Sequence, residues 1–178
     1  MRIGVISDTH GRLHPRVPEL FRGIDHILHA GDIGSEEVLV ALRALAPVTA
    51  VAGNVDDFQL GDAGETARVT LGGLRFFLTH ILPRPGDLGD AVRAEFERVP
   101  GTGPDVVIFG HSHLPHDEHL NDTWFFNPAS AGPRRFDYPC SVGFFEKRDG
   151  CWRAWHVGLD DRSSAVLASG KHMNQLSR

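Results

Sequence analysis

Short apolar runs that end in a glycine or a polar residue recur along this chain, and the early ones alternate with segments of helical spacing. Strands are predicted over Arg2 to Ser7, Asp25 to Ala30 and Val48 to Ala52. Helices are predicted between them, over Pro15 to Arg22 and Ser35 to Leu45. Strands that alternate with helices form parallel sheets through right-handed crossovers. The chain is therefore predicted to begin with an α/β unit.

Beyond the third strand the pattern becomes that of a sheet with tight turns. Gly72 and Gly73 separate two apolar runs, Ala67 to Leu71 and Leu74 to Thr79, as in a hairpin. Further strands are predicted over Asp105 to Phe109, His116 to Leu120, Thr123 to Phe126, Ser141 to Lys147 and Trp152 to Val157. The last four are predicted to be antiparallel, and a helix is predicted over Asp87 to Arg98.

The length of 178 residues suits one sizeable core rather than two. We assign residues 1–157 to one domain and residues 158–178 to a polar tail that we expect to be loosely ordered. No apolar run is long enough to cross a membrane, and Asp8 interrupts the N-terminal apolar stretch where a signal peptide would continue. We therefore expect a cytoplasmic protein that does not associate with membranes.

The charge limits the class of partner. With 18 basic and 23 acidic side chains the formal charge is −5, so the chain has no broad basic face for nucleic acid. We expect no stable nucleic-acid binding, and the sequence is compatible with a homo-oligomer. The 11 histidines stand out, because neutral imidazole is the commonest metal ligand.

Oxygen and nitrogen donors stand where five of the predicted strands end. The candidate site residues are Asp8, His10, Asp32, Asn54, His80, His111 and His113. Ligands bind outside the carboxyl ends of strands in open α/β sheets, so these donors are predicted to converge on one cleft. Gly31, Gly53 and Gly110 each precede a candidate and would allow a close approach of the backbone. If the segment after Phe109 stays extended, alternation puts His111 and His113 on one side.

This donor set predicts a dinuclear metal centre. Mixed oxygen and nitrogen donors suit manganese as first choice, with nickel, iron, cobalt or zinc as alternatives. Seven donors exceed the needs of one tetrahedral ion, whereas two ions that share one carboxylate leave room for a hydroxide between them. Two divalent ions outweigh the two carboxylates in charge, so the cleft would suit a small anionic phosphate ester.

Plainer interpretations exist for individual residues. Asp8 and Asp32 could each cap a following helix, and Asn54 could be only a turn residue. His80 ends an aromatic strand and could be a hydrogen-bonded core residue. The prediction of a metal site rests on the whole set rather than on any member.

The ordered motifs DTH, GD, GN, TH and GHSH resemble those of the calcineurin-like metallophosphoesterase superfamily, over nearly the whole of residues 1–157. The resemblance implies an α/β fold with two mixed β-sheets sandwiched between helices. It also implies that Asp8, His10 and His113 hold one metal, that Asn54, His80 and His111 hold the other, and that Asp32 lies between the two. The later NPAS motif resembles the small phosphodiesterase branch and its relative, the small subunit of retromer.

Two departures from the family pattern affect the expected chemistry. Many members carry GNH and an acidic residue three positions after the shared aspartate, where this chain has Val55 and Ser35. That acid dyad is absent here. Relatives often read HGH where this chain has Ile81 and Leu82 after His80, so the second histidine of that motif is missing.

These patterns predict a metal-dependent phosphoesterase, most of all a phosphodiesterase that uses a hydroxide between two divalent metals. Turnover is expected to depend most on Asn54, Asp32 and His111. A phosphomonoesterase or a nucleoside polyphosphate hydrolase is the enzymatic alternative. A non-catalytic interaction scaffold like the small retromer subunit is the alternative from another class.

Overall fold

The computed structural model describes residues 1–56, 62–83, 93–94, 103–134, 138–160 and 166–169. The elements, in chain order, are β1 (Arg2–Ile6), α1 (Val17–Leu20), β2 (His26–His29), α2 (Glu36–Arg43), β3 (Val48–Ala50), β4 (Thr66–Leu71), β5 (Leu74–Thr79), β6 (Val106–Ile108), β7 (Pro115–Leu120), β8 (Thr123–Pro128), β9 (Ser141–Arg148), β10 (Cys151–Gly158) and β11 (Val166–Ser169).

Two mixed sheets organise these strands, as the family resemblance implies. The six-stranded sheet has the order β11-β10-β9-β1-β2-β3, and the five-stranded sheet has the order β4-β5-β6-β8-β7. Strands β1, β2 and β3 are parallel, which confirms the predicted α/β unit. Strand β8 pairs with β7 in the predicted antiparallel direction, but its other neighbour, β6, is parallel to it.

Alternation along the strands divides the core into layers. Between the sheets, Val5 and Leu28 of the first sheet lie in one cluster with Phe76 and Phe126 of the second. The opposite face of the first sheet packs against both helices, with Ile27 and Phe144 among its members. A smaller cluster, which includes Phe77, Val107 and Phe125, lies on the outer face of the second sheet.

The predicted hairpins are present at the expected turns. Gly72 and Gly73 have φ of 56° and 93°, and Asn121 and Asp149 have φ of 54° and 52°. Two-residue hairpin turns need such left-handed backbone, which asparagine, aspartate and glycine adopt most readily.

The described helices are shorter than the sequence predicts, and neither is long and apolar enough to cross a membrane. Ser35 directly precedes α2 as expected, but its side chain makes no capping hydrogen bond. The predicted helix over Asp87 to Arg98 lies outside the described residues except for 93–94, which are helical. Strand β11 falls within the predicted tail and pairs with β10, while the loose order of residues 158–178 stays a prediction.

Candidate metal centre

The parallel strands of the two sheets end at one edge of the sandwich, and the predicted donors lie there. Asp8 and His10 follow β1, and Asp32 follows β2. The backbone N–H of His111, after β6 in the other sheet, donates to Asp8 Oδ2 over 3.2 Å. The structure therefore brings donors from both sheets into one cleft.

Three donors form a first cluster, made of Asp8, His10 and His113. Their ligand atoms lie within 4.8 Å of one another. Asp8 Oδ1 is 3.1 Å from His113 Nε2, and the Nε2 atoms of His10 and His113 are 3.5 Å apart. Asp8 and His113 are both buried, so their side chains have little contact with solvent.

A second cluster is made of His80, Asn54 and His111, and Asp32 lies next to it. His80 Nε2 lies 3.2 Å from Asp32 Oδ1 and 3.2 Å from Asn54 Oδ1. Asn54 Oδ1 is also 2.9 Å from His111 Nδ1. Asp8 reaches this cluster too, because its carboxylate lies within 4.8 Å of the ligand atoms of Asp32 and His80.

Asp32 lies between the two clusters. Its Oδ1 faces His80, and its Oδ2 is 3.6 Å from His10 Nε2. The backbone N–H of Val55 donates to Oδ1 over 3.2 Å and fixes the carboxylate further. One carboxylate therefore faces donors of both groups.

The electrostatics of Asp32 and His80 are coupled. Burial raises the pKa of Asp32, but the hydrogen bond and charge of His80, with the Val55 amide, outweigh it and lower the pKa to about 2. Burial lowers the pKa of His80, but the hydrogen bonds to Asp32 and the Ala30 carbonyl and the charge of Asp8 raise it overall. His80 Nδ1 donates to Ala30 O over 2.7 Å, which leaves Nε2 facing the acceptors.

Two features of this cleft fit a bound cation. Among the described residues, no donor makes a hydrogen bond to the buried Asp8 Oδ1, although His113 Nε2 is close to it. A buried acceptor without a donor is costly unless a cation satisfies it. The Nδ1–H of His80 donates to a backbone carbonyl, which is the usual way in which a metal-binding imidazole is oriented.

The backbone of the site is left-handed at most of the donors. Positive φ values occur at Asp8 (55°), His10 (47°), Asp32 (52°), His111 (66°) and His113 (58°). The segment that carries His111 and His113 is therefore not extended, and the expectation that alternation aligns the two rings is wrong. Both rings reach the cleft because each residue turns the chain locally. Aspartate and histidine tolerate this conformation better than most residues do.

Glycines allow the loops to touch. A Cβ on Gly53 would collide with the backbone and Oδ1 of Asp32, and one on Gly110 would collide with Ser7 Oγ. The close approach predicted from these glycines is confirmed at both positions. The absence of a side chain is what permits the strand ends to meet.

Hydrogen bonds to the loops come from residues that the sequence patterns did not assign to the site. His29 accepts from Gly31 N and donates through Nε2 to Thr9 Oγ1, which donates to Ile33 O. Burial, opposed by the charges of Asp8 and Asp56, lowers the pKa of His29 to about 4. The position of His29 in the HAGD motif, two residues before Gly31, was the signal in the sequence.

The NPAS segment forms hydrogen bonds to the loop that carries His111 and His113. Asn127 Nδ2 donates to Gly110 O over 2.8 Å and to Ser112 Oγ over 3.1 Å. Ser130 Oγ lies 3.1 Å from Asp8 O and 3.0 Å from Pro133 O, so its proton can serve either carbonyl. The sequence pattern flagged this segment without giving it a role.

The plainer interpretation of the two aspartates as helix caps finds little support here, whereas His80 is buried and hydrogen-bonded to Ala30 O, as its plainer interpretation expects. Asp32 accepts from Val55, and Asp8 accepts from His111, so neither carboxylate's observed partner is a helix N–H.

The two departures from the family pattern, Val55 and Ile81, are exposed side chains. Val55 is 51% exposed and directly follows Asn54, and Ile81 is 48% exposed and directly follows His80.

Comparison with known families agrees with this architecture. The family model described as the Calcineurin-like phosphoesterase superfamily domain matches residues 1–150. The chain belongs to the calcineurin-like phosphoesterase superfamily. Its two mixed sheets agree with the fold that solved structures of this superfamily show. Related proteins are named metallophosphoesterases, and the donor groups at the strand ends are of a kind that could hold metal ions.

Named relatives of this superfamily member span most of its length. A protein of Methanothermobacter thermautotrophicus named "Probable metallophosphoesterase" is 35% identical over 146 residues, 78% of this chain and 82% of the relative. The Escherichia coli phosphodiesterase YfcE is 32% identical over 171 residues, 82% of this chain and 88% of YfcE.

Solved structures show the same fold. The structure of YfcE matches with a TM-score of 0.71, at 26% identity, over 95% of this chain and 98% of YfcE. Vps29 from Entamoeba histolytica, complexed with zinc, matches with a TM-score of 0.72, at 25% identity, over 97% of this chain and 98% of that chain. The superfamily member described here thus resembles both a phosphoesterase and a vacuolar protein sorting protein.

Proposed function

We propose that this protein hydrolyses phosphoric esters, phosphodiesters above all, at a centre of two divalent metal ions. The observation that carries the proposal is the convergence of two donor clusters on Asp32, whose two oxygens face different clusters. The proposed ligands are Asp8, His10 and His113 for one ion and Asn54, His80 and His111 for the other, with Asp32 shared. The distances of 2.9–3.6 Å between these donor atoms support the assignment.

The donor set favours a transition metal over calcium or magnesium. Four of the seven donors are imidazoles, which suit manganese, iron, cobalt, nickel and zinc better than the hard cations that prefer oxygen. We place manganese first. The zinc bound by the Vps29 structure from Entamoeba histolytica makes zinc the first alternative.

Divalent ions in such a centre act as Lewis acids and bring the pKa of water towards 7, so that hydroxide is available near neutral pH. The chain's own residues provide the positions. Asn54 Oδ1 is engaged by His80 and His111, so its Nδ2 is the amide atom left to donate to a phosphoryl oxygen. Donors that are already aimed at developing charge need little reorganisation in the transition state.

The preference for diesters rests on relatives and on Val55. The Escherichia coli relative is named a phosphodiesterase, and so is a Methanocaldococcus jannaschii protein that is 30% identical over 147 residues. Val55 replaces the histidine that would protonate a leaving group in many members. Small diesters with good leaving groups need such an acid least.

An interaction scaffold is the second candidate function. The observation in its favour is that the Vps29 structure has a similar fold and that the match extends over 98% of the Vps29 chain. A scaffold has no chemical need for all seven donors, and all seven stand in this chain. We therefore favour the enzyme.

Metal analysis and hydrolysis of bis-p-nitrophenyl phosphate test the proposal together. Protein stripped with chelator and reloaded with Mn²⁺ is expected to hold about two ions per chain. Turnover is expected to be abolished by each of four substitutions, Asp8→Asn, Asp32→Asn, Asn54→Ala and His111→Ala. The rates with p-nitrophenyl phosphate and with nucleoside triphosphates are measured alongside the rate with the diester. Faster turnover of either alternative substrate would replace the diester assignment.

His116→Gln provides the matched control. His116 contacts Glu118 at 3.1 Å and is none of the proposed ligands, so its replacement is expected to leave the rate within a few fold. Full activity after chelation would contradict the metal mechanism. Two bound ions without turnover of any phosphate ester would favour the scaffold.

A further inference from the structure

Asp56 joins the two loops that carry Asp32 and Asn54. Its Oδ1 accepts from Gly34 N over 2.7 Å, and its Oδ2 accepts from Ile33 N over 3.0 Å and from Gly53 N over 2.8 Å. We propose that Asp56 is a positioning residue that sets the distance between Asp32 and Asn54 and thereby the affinity of the metal centre. The inference rests on the proposed function, since it concerns the same centre.

Asp56 acts through these bonds rather than as a ligand. Both of its oxygens are occupied by backbone N–H groups, and two of those groups directly follow Asp32 in the chain. The third belongs to Gly53, which directly precedes Asn54. A carboxylate that accepts three backbone N–H groups forms charge-assisted bonds, which are stronger than neutral ones.

The loop after β2 needs such support. Its backbone is left-handed at Gly31 (φ 89°), Asp32 (φ 52°) and Gly34 (φ 80°). Glycine adopts this conformation readily, whereas at Asp32 it persists only where the surroundings determine it. Asp56 supplies fixed acceptors to two consecutive N–H groups of that loop, those of Ile33 and Gly34.

The contact between Gly53 and Asp32 leaves little tolerance. A Cβ on Gly53 would overlap the backbone N and Oδ1 of Asp32, so the two loops already touch without one. Movement of either loop would shift Asp32 relative to Asn54, and both are proposed ligands. Residues that orient metal ligands in this way typically affect metal affinity 10- to 100-fold when replaced.

Asp105 offers a matched comparison at the other end of the sheet. It also accepts several N–H hydrogen bonds, among them those from the backbone N of Arg75 over 2.8 Å, from its Nε over 3.0 Å and from its Nη2 over 2.8 Å. Asp105 precedes β6, whereas the cleft lies after that strand. Asp56→Asn and Asp105→Asn therefore each remove a carboxylate that accepts several N–H groups, one between the loops of the site and one in an ion pair with Arg75 away from it.

The experiment titrates the full-length, chelator-treated protein with Mn²⁺ in a calorimeter, with folding checked by circular dichroism. Asp56→Asn is expected to weaken Mn²⁺ binding about 10- to 100-fold. Asp105→Asn is expected to lower the unfolding temperature without changing Mn²⁺ affinity by more than about twofold. Hydrogen exchange at Ile33, Gly34 and Gly53 should accelerate only in Asp56→Asn.

Asp56→Glu serves as the second variant if Asp56→Asn does not fold. It keeps the carboxylate and lengthens it by one methylene. If both variants fold, Mn²⁺ affinity higher in Asp56→Glu than in Asp56→Asn supports the role, and if only Asp56→Glu folds, weaker Mn²⁺ binding than in wild type supports it. Wild-type Mn²⁺ affinity in folded Asp56→Asn, or in Asp56→Glu if that is the one variant that folds, overturns the inference. Equal losses in the Asp56 and Asp105 variants overturn it as well, because they indicate general destabilisation.

The proposed function and the positioning role fail in different ways. If the wild type binds Mn²⁺ but hydrolyses no phosphate ester, the proposed function fails, and weaker binding by Asp56→Asn still supports the positioning role. If the wild type binds no Mn²⁺, both fail.

Discussion

Left-handed backbone at Asp8, His10, Asp32, His111 and His113 is the most unusual property of individual residues in this protein. Such conformations are unfavourable for most residues, less so for aspartate and histidine, and persist only where the fold imposes them. The cleft therefore concentrates uncommon backbone conformations in the same residues that carry its donors. One of these residues, Asp32, and its neighbour His80 also determine how the cleft binds protons.

Protons should compete with metal at His80. Its pKa is raised above the ordinary value, so at a given pH more of the rings carry a proton that a metal ion must displace than in an ordinary histidine. Mn²⁺ affinity is therefore expected to fall as pH decreases through this pKa. Calorimetry at pH 6.5 in two buffers of different ionisation enthalpy measures the released protons. Binding without proton release at that pH would contradict the prediction.

His29 should make stability depend on pH. Its pKa falls from 6.5 to about 4 on folding, so between these values the unfolded chain binds more protons than the folded one. This contribution is complete above pH 6.5 and is lost as pH falls towards 4. The shift corresponds to about 3 kcal/mol. Urea unfolding in chelator at pH 6.5 and 4.5 measures it.

The control for this titration is His29→Gln. Other groups titrate in both proteins, so the difference between the two pH dependences isolates His29. The variant is expected to be less stable at pH 6.5, because His29 links Gly31 N to Thr9 Oγ1, and to lose less stability on acidification. Parallel pH dependences would contradict the assigned burial of a neutral ring.

Val55 should make the rate depend steeply on the leaving group. Its exposed side chain follows Asn54 and has no proton to give, while positioned general acids typically contribute about 10²- to 10⁴-fold. Nitrophenyl diesters are expected to react much faster than alkyl diesters, with the logarithm of the rate falling as leaving-group pKa rises. Single-turnover rates measure the chemical step.

A flat dependence on leaving-group pKa would mean that another group protonates the departing oxygen. Val55→His tests the position directly. The variant flattens a steep series only if the new ring reaches the leaving oxygen, so an unchanged slope would place the departing group elsewhere in the cleft.

Loops that follow the parallel strands build the cleft, and glycines decide how closely they approach. Gly53→Ala places a Cβ against Asp32, so the backbone of one loop must shift. Overpacking of this kind typically destabilises by about 1–3 kcal/mol. The variant is expected to unfold at lower urea concentration and to bind Mn²⁺ more weakly, measured by fluorescence and calorimetry.

Gly64→Ala is the control for that loop substitution. The nearest atom to a Cβ at Gly64 is Thr66 O at 3.6 Å, an ordinary contact, so both measurements should stay near wild type. Equal Mn²⁺ affinity in Gly53→Ala and Gly64→Ala would show that the approach of the two loops does not matter for the site.

Both sheets contribute donors to the cleft, so metal binding should report on the fold of the entire domain. A metal that binds only the folded chain stabilises it by about 2.7 kcal/mol at one hundred times its dissociation constant. We expect Mn²⁺ to raise the unfolding midpoint of the wild type and to have little effect on Asp8→Asn. Differential scanning calorimetry with and without chelator measures both. An equal rise in both proteins would locate the binding elsewhere.

The sequence by itself determined the local elements. The parallel β1-β2-β3 unit and the hairpin at Gly72 and Gly73 were predicted, because side-chain periodicity and turn residues act over short distances. The arrangement in two mixed sheets was implied by the family resemblance instead. The seven donors and their position at strand ends were also predictable, because parallel strands share one carboxyl edge. Their roles as metal ligands stay a proposal.

Only the tertiary structure decided how the strand ends meet. Asp56 is close in sequence to Asn54 but binds Ile33 and Gly34, and His29 joins the loops after β1 and β2. The left-handed turns that bring His111 and His113 into the cleft replaced the extended segment expected there. Periodicity carries no information on such contacts, because they depend on which loops two packed sheets place side by side.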